Sequence, residues 1–116
     1  MSDRAIASSP PDNTVAALND ALRQSFANGH VVLTDGVAAL PECERRAVLR
    51  AVQAFGAFTA DNDPYGEHDF GAFEHAGTRY FWKIDYYDRD LTCGSPDPAD
   101  PAVTKRLMTV MRADEY

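Results

Sequence analysis

The sequence predicts an α+β fold, a single domain in which a small antiparallel sheet (a hairpin or meander plus one strand) packs with three helices. Three stretches carry apolar residues at helical spacing, residues 70–87 switch to a period of two, and 116 residues suffice for one hydrophobic core. The domain is expected to span residues 13–116. Residues 1–12, rich in Ser, Pro and Asp, are expected to form a flexible N-terminal tail.

From Asn13 or Thr14, Val15, Leu18, Leu22 and Phe26 recur at steps of three and four, with Gly29 placed to stop a first helix. His30 to Thr34 is short and β-branched and is ended by Asp35-Gly36, which suits a buried strand followed by a turn. Beyond Leu40-Pro41, Glu42 and Glu44 occupy a first turn where the helix dipole favours acids, and Val48, Val52 and Phe55 extend an apolar stripe to Gly56. This predicts a second helix.

Between Phe70 and Tyr87 the chain can reverse at Ala76-Gly77. That turn sets Glu74 opposite Arg79, Phe73 opposite Tyr80 and Gly71 opposite Trp82, so that unlike charges and aromatic rings meet across the hairpin. Phe73, Tyr80, Trp82, Ile84 and Tyr86 then share the core face, while Phe81, Lys83, Asp85 and Tyr87 project from the other. The Pro-punctuated segment 94–101 ends in Asp100-Pro101, an N-cap acid followed by a proline, and predicts a third helix. Its apolar stripe would be Val103, Leu107, Val110 and Met111, with Lys105, Arg106 and Arg112 on the solvent side.

Eleven basic residues stand against eighteen acidic ones, giving a net charge of −7. Such a surface repels phosphate backbones, so direct nucleic-acid binding is not expected. Neither a signal-peptide core nor a run of roughly 20 apolar residues is present, which predicts a cytoplasmic chain with no membrane association. Cys43 and Cys93 are too isolated for a CxxC pair or a zinc site and are expected to be reduced thiols.

Acidity concentrates in the second half, where residues 57–116 hold twelve acids and six bases. In the segment DNDPYGEHDFG, residues 61–71, Asp61, Asp63, Glu67 and Asp69 crowd together without a basic neighbour. These four carboxylates are candidate ligands for Mg²⁺ or Ca²⁺, since hard cations take oxygen ligands from flexible loops. As an EF-hand loop the spacing fails, because Tyr65 stands at the fifth position and Ala72 at the twelfth. No cofactor is therefore expected.

Two other chemistries fit the same segment. The hairpin register sets His68 opposite Asp85, so His68, Asp85 and Glu67 are the catalytic candidates if the protein is an acid–base enzyme. Alternatively Asp61, Asp63, Tyr65, Glu67, Asp69, Asp85 and Tyr87 form an acidic, aromatic binding face that selects a basic partner protein. No activated nucleophile, oxyanion-stabilising group or Gly-rich phosphate loop accompanies them, which favours the binding face over an enzyme.

The blocks DNDPYGEHDFGAFE, FWKIDYYDRDLT, GSPDPADPAVT and the C-terminal ADEY resemble those of a family of small bacterial proteins of unknown function. The resemblance covers residues 56–116 closely and the N-terminal half loosely. It implies carriage on plasmids and other mobile elements, and by analogy an accessory or anti-defence role, but it supplies no catalytic residue.

Overall fold

A computed structural model describes residues 13–116; the expected tail, residues 1–12, lies outside the described residues. Helix α1 spans Asn13–Ser25, β1 His30–Leu33, α2 Asp35–Ala38 and α3 Glu42–Ala54. Strands β2 (Phe70–His75), β3 (Thr78–Tyr87) and β4 (Lys105–Arg112) follow, and a 3₁₀ turn, Ala113–Glu115, closes the chain. The α+β class holds. The four strands lie in the order β1-β4-β3-β2.

Helices α1, α2 and α3 cover one face of this sheet. Leu22, Val37, Val48 and Val52 from the helices meet Tyr80, Trp82, Ile84, Met108 and Val110 from the strands in one buried cluster. Each of the aliphatic members contributes about 1.5–3 kcal/mol by leaving water. Phe55 and Phe58 meet the Trp82 ring edge-on at 5.5 and 6.1 Å between centroids.

The hairpin has the register that its charges and rings demand, with Glu74 opposite Arg79, Phe73 opposite Tyr80 and Gly71 opposite Trp82. Ala76 and Gly77 both take positive φ, 51° and 81°, as a type I′ turn requires. Gly71 is obligatory for a steric reason: a Cβ there would lie 2.3 Å from Nε1 of Trp82.

Four expectations are corrected. The segment expected to form the third helix is β4, which pairs parallel with β1 and antiparallel with β3, so the sheet is mixed rather than purely antiparallel. Its burial alternates, with Arg106, Met108 and Val110 turned inward, a period of two that the inward arginine disguises. Arg106 is accordingly buried, not solvent-facing. Asp100 does not cap a helix; its carboxylate accepts the N–H of Ala102 at 2.9 Å in a local turn. Strand β1 is an edge strand with alternating exposure rather than a buried one. The third helix is α2, the single turn that Asp35-Gly36 opens, and Val37 anchors it in the core.

The C-terminal Ala113-Asp114-Glu115-Tyr116 folds back onto the sheet. Oε1 of Glu115 accepts hydrogen bonds from the Thr34 hydroxyl at 2.7 Å and from the Arg112 N–H at 2.9 Å, and Oε2 accepts the Gly36 N–H at 2.8 Å. These donors hold its carboxyl below the usual range, the Thr34 hydroxyl foremost. The Tyr116 ring lies against Phe70 and Phe81.

Candidate functional site

The loop between α3 and β2 is shaped by its own polar side chains. Asn62 accepts the Thr59 N–H and donates to the Ala57 carbonyl. Asp63 accepts the backbone N–H groups of Glu67 at 3.1 Å and His68 at 3.3 Å, so it acts as an Asx brace across the Gly66 bend. Gly66 takes φ 66° there, and His68 follows at 55°.

That left-handed turn decides where the histidine goes. The β2–β3 ladder begins at Phe70, and His68 faces not Asp85 but Asp20 on α1. Nδ1 of His68 lies 3.0 and 3.1 Å from the two Asp20 carboxylate oxygens, and Nε2 is 3.7 Å from Asp63. Its ring stacks on Phe58 at 3.9 Å with planes 4° apart. Asp20 also binds Nη2 of Arg23 at 3.0 Å. Arg23, 2% exposed, donates through Nη1 to the carbonyls of Val52 and Gln53 and lies over the Trp82 ring.

Glu67 is engaged separately. Its Oε1 accepts the Tyr86 hydroxyl at 2.9 Å. Asn19 donates to that hydroxyl oxygen at 2.8 Å and to the Glu67 carbonyl at 2.9 Å, and accepts from Nε of Arg106 at 2.8 Å. Burial, above all, keeps the Tyr86 phenol protonated well past its ordinary range, with Glu67 adding to the effect.

The predicted face therefore divides. Asp63 and Glu67 are spent on the loop and its anchorage to α1 and β3. Asp61 and Tyr65 project outward, Tyr65 being 84% exposed. Asp69 is half-buried, and among the described residues no other residue donates a hydrogen bond to its carboxylate; burial, Glu67, Asp63 and Asp85 hold it above the usual range. Asp85 pairs with Lys83 at 3.2 Å on the sheet face away from the helices, and Tyr87 lines an apolar cleft on that side. Among the described residues, no three His, Cys, Asp or Glu side chains converge as a metal would require. Cys43 and Cys93 are exposed and unbonded.

Sequence reasoning missed Asp20, Arg23 and Asn19, the helix residues that complete these networks. Their signal was present as a polar run, Asn19-Asp20, and an arginine directly after the core residue Leu22 on an otherwise amphipathic helix. No helix among the described residues is long and apolar enough to cross a membrane.

Residues 33–115 match the model of a family described as a protein of unknown function, DUF3768. The match spans well over half of the sequence, and the chain belongs to that family. No curated protein and no solved structure matches it.

Proposed function

Starting from membership of a family to which no activity is assigned, we propose that this chain is a non-enzymatic binding protein whose 61–71 loop engages a basic partner protein. One observation carries this reading. Asp69 is kept half-buried beside Glu67, Asp63 and Asp85, with no cationic group of the described residues on its carboxylate. A folded domain that leaves a carboxylate in that position stands to gain from a cation supplied from outside. Tyr65 at the loop tip and Asp61 beside it add an exposed ring and a second free charge, a combination suited to Lys- and Arg-rich surfaces. By analogy with mobile-element proteins, such a partner would belong to a host system that the protein modulates.

The test is a fluorescence-anisotropy titration with a labelled oligolysine peptide. The triple variant Asp61→Asn, Tyr65→Ala, Asp69→Asn should bind about tenfold more weakly than the wild type. A charge-matched control, Glu44→Gln with Asp90→Asn, alters exposed acids elsewhere and should change affinity little. Equal weakening in the two variants would show that only net charge matters and would overturn the site.

The Asp20–His68 pair favours a second reading, an acid–base function in which Asp20 orients the imidazole. Nε2, the nitrogen left for a substrate, points toward Asp63, so that reading requires the loop to move. Loss of a cellular phenotype in His68→Gln, with the fold intact, would support it.

A further inference from the structure

Among the described residues two arginines are buried, and one of them has a counter-charge there. Arg23 binds Asp20. Arg106, 5% exposed, binds neutral groups among the described residues: Asn19, the Pro98 carbonyl and the Tyr86 ring at 5.2 Å. Its Nη1 makes no hydrogen bond among the described residues. A guanidinium held in low dielectric without an anion is costly, and burial accordingly depresses its basicity.

Arg106 lines a cleft of about 490 Å³ at the end of the sheet where β1 and β4 begin. In a protein with eighteen acidic residues, no acidic side chain among the described residues lines this cleft. His30, Arg89, Lys105 and Arg106 all do, and none of the four forms an ion pair with any described residue. The cleft shares Gly29 and His30 with a second one of about 600 Å³, lined by Val32, Tyr87, Leu91 and Leu107. Val32 and Leu91 are 45% and 49% exposed there. Asn28 and Leu91, one in each cleft, hold left-handed φ angles of 66° and 59°, and in leucine that conformation is strained.

We propose that the two adjoining clefts bind a phosphate monoester, its anionic head among Arg89, Lys105 and Arg106 and its apolar body over Val32, Leu91 and Leu107. Guanidinium groups suit a dianionic phosphate through paired N–H donors, and a phosphate would give the buried Arg106 a counter-charge that no described residue supplies. The strongly negative remainder of the surface restricts the site to a small ligand, since a phosphate polymer would be repelled beyond the cleft. Occupancy here does not depend on the acidic loop or its partner.

Calorimetric titration with phenyl phosphate and with inorganic phosphate tests the assignment. Phenyl phosphate should bind saturably in the millimolar range or tighter, about tenfold more tightly than inorganic phosphate. Arg89→Gln with Lys105→Gln, two surface changes that leave the core untouched, should weaken both probes about tenfold. Leu91→Asn retains a residue tolerant of the left-handed conformation and should remove only the advantage of the phenyl group. Absence of saturable binding, equal affinity for the two probes, or unchanged affinity in the double variant would each overturn the proposal.

Discussion

Asp20 on α1 and His68 in the α3–β2 loop, 48 positions apart, meet with Nδ1 3.0 Å from the carboxylate. This bond makes the acidic loop part of the helical layer, because the same Asp20 holds the buried Arg23, and Arg23 fastens to the C-terminal turn of α3. One carboxylate thus joins three segments.

Asp20→Ala should cost about 2–3 kcal/mol, since it strips the carboxylate from a buried arginine as well as from His68. His68→Ala, which loses the bond and the Phe58 stack, should cost about 1–2 kcal/mol. Urea denaturation followed by the fluorescence of Trp82, the single tryptophan, measures both. The double variant should show coupling of about 0.5–1.5 kcal/mol, and strict additivity would mean that the two side chains do not cooperate.

Gly71→Ala should destabilise the fold by about 1–3 kcal/mol through overpacking against the Trp82 indole. The emission of that indole should shift as the ring is displaced. Gly56→Ala is the control, because a Cβ there meets nothing within 4 Å. Equal stability of the two variants would disprove the contact.

Asp69→Asn should raise the melting temperature at neutral pH. The folded protein holds this carboxyl above its ordinary value of 3.8, so its charge opposes folding once pH rises through the folded value, and the opposition is absent below the unfolded one. The gain from Asp69→Asn should therefore fade on acidification. Thermal melts across a pH series read this directly.

Glu115→Gln should behave in the opposite sense. Thr34, Gly36 and Arg112 hold this carboxyl below its ordinary value of 4.5, so its charge favours folding above that value and the benefit is lost as pH falls through the folded one. The variant should melt lower than wild type at neutral pH and converge with it in acid. Parallel curves at every pH would mean that the carboxylate contributes only shape.

The hairpin register was legible because Glu74 and Arg79 carry opposite charges and the rings opposite each other identify the inner face. Helices α1 and α3 were legible from period alone. Strand β4 was not, since Val103, Leu107, Val110 and Met111 satisfy helical spacing and the inward Arg106 breaks the apolar alternation that marks a strand. The crowd of carboxylates in 61–71 was visible in sequence, but the anchorage of the loop to Asp20, Asn19 and Tyr86 was not, because each lies at least 19 positions from the loop residue it contacts. The unpaired charge of Arg106 was hidden for the reason that hid the strand: on a helix it would have faced water.

Because β4 lies between β1 and β3, the two halves of the sheet join, among the described residues, through the fourth strand in chain order. A nascent chain that has emerged as far as Tyr87 can close the hairpin, yet β1 has no neighbour to accept it. Assembly of the core must then wait for Lys105–Arg112 to emerge, so folding is limited by this late, distant pairing. A stalled or prematurely terminated product would leave Leu22, Val48 and Trp82 uncovered, marking it for chaperones and proteases instead of for use.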